Sequence, residues 1–301
     1  MVNWWLQPIK RHPSHGFISS VEHWRWWGYL STAFTFFSGI VITTAAGSLP
    51  EGGIPPAFVV TFGVTNICVY FDFAPANMVL PLFWLFTVLF FMVFFHLKVE
   101  RMRAEVAKKL LSQRLFARLR FFSYFEASTF VVFMLIFAVS PVDVDQPYFK
   151  EHMWVHSMPY VLFQFGLLSL AISTTVHGVE SGYWTKLGFG PFFRRGAVAY
   201  CVVFTFNVLY STISITRCLV MMDPPHPATC TISKAFTELN GLMIIINALI
   251  APLVKSSIII FCRADRMELL HVSPTVYTKV GTEGSLKVAP DPGTDEVVGS
   301  E

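Results

Sequence analysis

The chain has 301 residues, of which 54% are hydrophobic and only 14% are charged, and its formal net charge is +3. Soluble domains carry about a quarter charged residues, so this composition excludes a water-soluble globular fold. Its basic residues lie beside long apolar runs, which gives nucleic-acid binding no support. The five cysteines form no closely spaced pair, and we expect buried free thiols.

Six apolar runs are long enough to cross a bilayer. A helix of about 20 residues spans the ~30 Å hydrocarbon core, and in lipid each run must be helical because no water can satisfy its backbone. The sequence therefore predicts an all-α, polytopic membrane helix bundle with about six transmembrane helices. In chain order the runs are Trp26–Ala46, Met78–Leu97, Phe121–Ser140, Ser157–His177, Ala197–Met221 and Phe236–Cys262.

A seventh run, Ile54–Tyr70, is weaker, because Pro55 and Pro56 interrupt its start and Asp72 follows it. We interpret it as an interfacial or re-entrant segment packed on the bundle. After the sixth run the chain is polar and contains no further spanning segment. The sequence thus predicts a helix-bundle domain over residues 1–265 and a polar C-terminal tail over residues 266–301.

The charges of the loops alternate along the chain. Eight Lys or Arg residues lie between positions 98 and 120, loop 47–77 has none, and loop 141–156 has three acids against one lysine. Lys10 and Arg11 precede the first run. Basic loops remain on the inner side of a membrane. Six spans with both termini inside fit this rule, whereas counting the seventh run as a span would break the alternation.

The basic stretch 98–120 also contains no Gly or Pro and has apolar residues at helical spacing. It is interpreted either as an amphipathic helix on the inner surface, which would neutralise anionic headgroups, or as a basic loop that only sets the topology.

Glu126 lies inside the third run, where burying a charged carboxylate in hydrocarbon costs free energy. We expect it to be protonated, or paired with Arg120 or with a donor on a neighbouring helix. Its functional interpretation is proton-linked chemistry or a lipid or helix contact. The alternative is an interfacial glutamate whose side chain reaches water.

Two histidines lie at the ends of apolar runs on the inner side of the membrane. His96 ends the second run and His177 ends the fourth. They are interpreted either as separate interfacial residues or as a facing pair that ligates haem or a metal. Glu238 and Asn240 open the sixth run and are expected to cap it or to bond across helices.

Arg217 and Lys255 lie within about two turns of a span end, so we expect both to extend to the interface. The small hydroxyl residues of the fourth run are expected to pack helices together. These hydroxyl residues are Ser169, Ser173, Thr174 and Thr175.

There is no HExxH, GxSxG or P-loop motif and no clustered set of metal ligands, so the sequence predicts no catalytic residue and no metal site on this chain.

Four segments in order resemble cytochrome c oxidase subunit III, over about residues 11 to 262. The resemblance is to the family's opening HPxH pattern, its glutamate-bearing third helix, the histidine end of its fourth helix and a later motif that has here lost its histidines. The family usually has seven helices, and here six are visible. The segments are His12–His15 followed by Trp24, Leu119-Arg120 before Glu126, SLAISTTVH from Ser169 to His177, and FTELNGL from Phe236 to Leu242.

This resemblance implies a non-redox core subunit of cytochrome c oxidase in the mitochondrial inner membrane. Such a subunit packs on the catalytic subunit, holds structural phospholipids and supports proton-coupled electron transfer to oxygen, with no haem or copper of its own. Its partners would be phospholipids and other subunits of a respiratory complex. Glu126 would be the membrane-embedded carboxylate, and Arg120, His177, His96 and Asn240 are our candidate lipid-binding or interface residues.

Three alternatives remain open at this point. The chain is a structural accessory subunit of another membrane complex, a stand-alone six-helix protein in lipid handling, or a haem or quinone protein that uses His96 and His177.

Overall fold

The computed structural model describes residues 9–11, 17–49, 60–62, 67–139, 144, 146–223, 234–263 and 270–272. Six helical spans in this part of the chain are long and apolar enough to cross a membrane. The predicted all-α polytopic bundle is therefore confirmed, and the chain is a multi-pass membrane protein. Its helices are α1 Val21–Ala45, α2 Ala76–Ala107, α3 Gln113–Val132, α4 Leu135–Ala138, α5 Phe149–Glu180, α6 Tyr183–Lys186, α7 Pro191–Met221, α8 Lys234–Ile245 and α9 Ala251–Cys262.

The third and sixth spans each combine two helices. A turn at residues 133–134 separates α3 from α4, and the π-helical segment Ile246–Ile250 joins α8 to α9 without a break. A short 3-10 helix, Ile67–Phe71, precedes α2, and the buried side chains of Val69 and Phe71 pack on the core.

Several helices extend well beyond the apolar runs. α2 and α5 have 32 residues each, which at ~1.5 Å per residue gives about 48 Å against a ~30 Å hydrocarbon core. Both interpretations of residues 98–120 are therefore wrong as stated, because residues 98–107 are the last turns of α2. After a turn, Ser112 caps α3 by accepting the backbone N–H of Leu115 at 3.2 Å.

Aromatic side chains fill the core where α1, α2, α3 and α5 meet. The Trp84 indole N–H donates to the carbonyl of Phe130 at 2.9 Å, and its ring centroid lies 4.6 Å from that of Phe133. Phe91 lies 4.1 Å from Phe130 and Phe163 lies 4.3 Å from Phe133, between ring centroids. Tilted pairs at these distances are favourable beyond their burial.

A glycine sets the distance between α3 and α5. A Cβ atom at Gly166 would overlap the side chain of Thr129 on α3, so any larger residue would push the two helices apart. Small residues allow close helix contacts in membranes. This contact brings the serines of α5 within reach of Glu126 on α3.

A small antiparallel sheet, absent from the sequence prediction, joins the two ends of the chain. Its strands are β1 Ile9–Arg11, β2 Phe17–Ser19 and β3 Leu270–Val272, in the order β1-β2-β3, and the backbone of Ile18 is paired with that of His271. Both ends therefore lie on one side of the bundle, as an even number of spans requires. The rest of the predicted tail and most of Ile54–Tyr70, residues 54–59 and 63–66, lie outside the described residues.

Cysteine labelling tests this sidedness. Gln113 and Gln146 are both exposed, one at the start of α3 beside the basic turn and one before α5. In sealed membrane vesicles a membrane-impermeant maleimide should label Gln113→Cys and Gln146→Cys from opposite sides, with the parent chain as the control for native thiols. Labelling of both from one side would contradict the six-span layout.

Candidate functional site

Seven ionisable side chains form an ionic cluster at the inner end of the bundle. They come from α1, α2, α3 and α5, and each is at most 4% exposed. Charged groups at this depth are costly and mark functional sites in membrane proteins. The cluster consists of Glu22, Arg25, Lys98, Arg101, Glu105, Glu126 and His177.

Lys98 on α2 holds the Glu126 carboxylate. Its Nζ lies 2.8 Å from Glu126 Oε2, and the hydroxyls of Ser169 and Ser173 donate to Oε1 at 3.0 and 2.7 Å. The partner is therefore a neighbouring-helix donor and not Arg120. Arg120 is exposed, with its guanidinium 5.5 Å from the Phe116 ring centroid.

His177 is paired with an acid and not with the other histidine. Its Nε2 lies 2.5 Å from Oε2 of Glu105 on α2, whereas His96 is exposed. The facing histidine pair is therefore wrong. Among the described residues no group of three or more His, Cys, Asp or Glu side chains is placed to hold a metal ion.

Glu22 on α1 connects several helices. It forms an ion pair with Arg25, its Oε1 lies 3.5 Å from Nη1 of Arg101, and the hydroxyl of Tyr183 donates to it at 3.0 Å. Burial raises the pKa of the Tyr183 hydroxyl, which keeps this donor protonated. Arg25 also donates from Nε to Ser256 on α9 at 2.9 Å, which ties the first span to the last.

The sequence interpretation missed most of this cluster. Lys98, Arg101 and Glu105 were assigned to a surface helix or a basic loop because the apolar run ends at Leu97. Their spacing of three and then four residues places them on one helix face, and this signal identifies them as an inward-facing set.

A cavity of about 360 Å³, here called the inner cavity, lies beside the ionic cluster between α1, α5, α7 and α9. We expected Lys255 to extend to the interface, and its side chain reaches Trp184 on α6, in the connection between α5 and α7. Lys255 lines this cavity, with its Nζ 4.6 Å from the Trp184 ring centroid. Its other polar walls are Arg25, Tyr29, Thr174, Thr175 and Tyr200, and the rest of its lining is apolar.

One positive charge in this region is not balanced. Arg25, Lys98, Arg101 and Lys255 are four cations, and they are accompanied by three carboxylates. Within the described part of the chain no carboxylate lies within ion-pairing distance of Lys255. Its Nζ lies 4.6 Å from the Trp184 ring centroid, and the charge of Glu22 attracts it from farther away. A largely enclosed ammonium without a directly paired counter-ion is costly, so the inner cavity is suited to an anion.

A second cavity of about 250 Å³, here called the outer cavity, lies between α5, α7 and α8 towards the other membrane surface. Asn240 lines it and accepts a hydrogen bond from Asn207 Nδ2 at 3.1 Å, as expected of a residue that bonds across helices. The exposed Glu238 also lines it.

The outer end also holds a buried acid and a disulfide. Asp72 precedes α2, and burial raises the pKa of its carboxyl well above the ordinary value of 3.8. His156 Nε2 lies 3.8 Å from its Oδ1. Cys218 is disulfide-bonded, so the expectation of free thiols is wrong at this position, while Cys201 and Cys262 are free.

No protein-family model, curated protein or solved structure matches the chain. The geometry of the ionic cluster and of the two cavities is therefore the basis for any functional assignment.

Proposed function

We propose that this chain is a membrane protein that binds an anionic phospholipid in the inner cavity, and that lipid handling is its function. The observation that carries the proposal is the unpaired ammonium of Lys255 together with Arg25 in an otherwise largely apolar cavity. A phosphate between these two cations would balance the extra positive charge.

The depth of the cavity fits a headgroup of the inner leaflet. Arg25 lies about one turn from the start of α1 and Lys255 about two turns from the end of α9. Hydroxyl groups of Thr174, Thr175 and Tyr200 also line this space. The Thr175 hydroxyl accepts from Cys201, which leaves its proton free to donate, whereas those of Thr174 and Tyr200 donate to backbone carbonyls. Charge-assisted bonds from two cations are stronger than neutral ones and favour a phosphate over a neutral headgroup.

An apolar surface on α7, next to this cavity, is available to contact the acyl chains of a bound lipid. α7 exposes a continuous set of large apolar side chains, and Phe192 at its start is 88% exposed. In a bilayer these residues contact hydrocarbon. A phospholipid bound in the inner cavity would therefore keep its acyl chains in lipid against α7.

Lipid retention measured by native mass spectrometry tests the proposal. Lys255→Gln should weaken retention of phosphatidylglycerol about tenfold, which corresponds to losing ~1.4 kcal/mol from one charge-assisted contact. Arg114→Gln is the matched control, since Arg114 is an exposed cation at the same membrane surface. Equal retention by Lys255→Gln and the parent chain, or an equal loss in both variants, would contradict the proposal.

A second candidate is the oxidase subunit that the sequence resemblance implies. It is favoured by Glu126, fully buried in the third spanning helix, and by His177, buried near the inner end of the fourth. The phospholipid would then be structural, the partners would be respiratory subunits, and the membrane would be the mitochondrial inner membrane. Affinity purification of the native chain should bring down haem a and copper, and a preparation without the haem a absorbance would exclude this candidate.

A further inference from the structure

One face of α7 lines both cavities. Gly196, Ala197 and Tyr200 line the inner cavity, and Ser211, Ser214 and Cys218 line the outer one. These positions recur at three- and four-residue spacing, so they share one face of the helix. From Gly196 to Cys218 the face is about 33 Å long at ~1.5 Å per residue, which matches the hydrocarbon core.

Three asparagines bridge the interval between the cavities. Asn207 lies on the same face of α7, donates to Asn240 Oδ1 at 3.1 Å, and accepts from Nδ2 of Asn247 at 2.7 Å. Asn247 belongs to the π-helical segment, and its carbonyl accepts the hydroxyl of Tyr200, which itself lines the inner cavity. Such π turns inside α-helices are frequent at functional sites.

The facing helix α5 carries an unsatisfied amide at the same level. Tyr160 lines the outer cavity, and Ala171 and Thr175 line the inner one. Gln164 lies between them on the same face, because it is four residues after Tyr160 and seven before Ala171. It is 1% exposed, and neither amide atom has a hydrogen-bond partner among the described residues. Such a group costs about 1–3 kcal/mol, which a polar ligand would recover.

We propose that this face of α5, α7 and the last span, here called the polar seam, is a path along which a phospholipid headgroup passes between the outer and inner cavities. The inner end of the path rests on the function proposed above. Hydroxyl and amide groups follow one another along the seam, so a phosphate would exchange donors stepwise instead of crossing hydrocarbon unaided.

The structure shows the seam closed. Phe204 is 1% exposed and lies on the seam face of α7 between Tyr200 and Asn207, with its ring centroid 5.9 Å from that of Tyr200. Passage requires this ring to move. Since the Phe204 ring blocks the path and the asparagines supply its polar groups, substitutions of the two kinds should change the rate of passage in opposite directions.

A lipid fits the seam better than a free solute does. α7 turns apolar residues to the outside along its length, with Phe206 69%, Ile213 63% and Val220 67% exposed. Acyl chains can therefore stay in the bilayer while the headgroup occupies the seam. A free solute would need walls that close it off from hydrocarbon.

A leaflet-exchange assay tests the path. The full chain is reconstituted in phosphatidylcholine vesicles that contain a minor fraction of phosphatidylglycerol and a trace of NBD-labelled phosphatidylglycerol, and dithionite quenches the outer leaflet. The parent chain should allow quenching beyond the outer half. Asn207→Leu and Gln164→Leu should each slow exchange about tenfold, a barrier change of ~1.4 kcal/mol, and Phe204→Ala should speed it.

Thr205→Val is the matched control, because it removes a polar group from α7 whose hydroxyl bonds within the helix to Cys201 and should leave exchange unchanged. Gln164→Leu keeps the test valid if Asn207→Leu does not fold, since it removes no existing hydrogen bond among the described residues. Exchange by the parent chain no faster than in protein-free vesicles, or unchanged exchange in both Leu variants, would overturn the path. If Lys255-dependent lipid retention persists in either case, the proposed function stands and only the path fails.

Discussion

Replacing Lys98 with Met should lower the free energy of unfolding by about 3–5 kcal/mol, the usual cost of leaving one member of a buried ion pair alone. Lys98 is 1% exposed and Glu126 is not exposed at all, so no water replaces the lost ammonium. Two serine hydroxyls would remain on the carboxylate. Resistance to heat or SDS in detergent micelles is the measurement.

An exposed pair on the same helix provides the control. Arg103 and Glu100 form an ion pair with side chains 53% and 30% exposed, and Arg103→Met should cost under about 1 kcal/mol. The double variant Lys98→Met/Glu126→Leu should recover much of the loss, because it removes both charges together. A Lys98→Met protein as stable as Arg103→Met would show that the Glu126 carboxylate does not depend on Lys98.

Glu22→Gln should have an effect of similar size, again about 3–5 kcal/mol, because it leaves two buried guanidinium groups without their carboxylate. Both Arg25 and Arg101 are at most 4% exposed and both contact Glu22. Since Arg25 also bonds to Ser256, the loss should loosen α1 from α9. Hydrogen exchange should then rise at the inner ends of both helices.

Glu180→Gln is the matched control for this second substitution, because Glu180 is an exposed acid at the inner end of α5. Tyr183→Phe should cost only about 0.5–1.5 kcal/mol, since it removes one hydrogen bond and keeps both ion pairs. Similar stability for Glu22→Gln and Glu180→Gln would contradict the role of Glu22 as the connection between these helices.

The spanning helices could be predicted from the sequence because hydropathy and loop charge report directly on the membrane. Each of the six apolar runs lies within one of the observed spans to within a few residues at its ends. The true helix ends were missed because helices continue beyond the hydrocarbon, where the chain turns polar. Residues 98–107 show this, since their charges indicate a loop by composition although they are the end of α2.

The site could be predicted only in part. Glu126 was identified because an acid inside an apolar run is conspicuous, but its partner Lys98 lay beyond the end of another run. Lys255 was identified only by its distance from the helix end, which does not show that its side chain lines a cavity. The cavity it lines forms only when α1, α5, α7 and α9 come together, and such long-range packing leaves no local pattern.

The residues of the polar seam could be recognised only in part from the sequence. Asn240 and Asn247 are seven residues apart in the last span, and Asn207 is an amide in the middle of another, so each lies on a defined helix face. That the three amides meet follows only from the packing of α7 against the last span.

Photo-cross-linking tests the central claim, lipid binding in the inner cavity, most directly. A phosphatidylglycerol with a photoreactive group on its headgroup is incorporated with the full chain in bilayer nanodiscs, irradiated, and mapped by peptide mass spectrometry. We expect cross-links concentrated on the inner-cavity walls, at residues 192–200 and 251–255, and lost in Lys255→Gln. Cross-links spread evenly over the lipid-facing helices, and unchanged in that variant, would contradict the account.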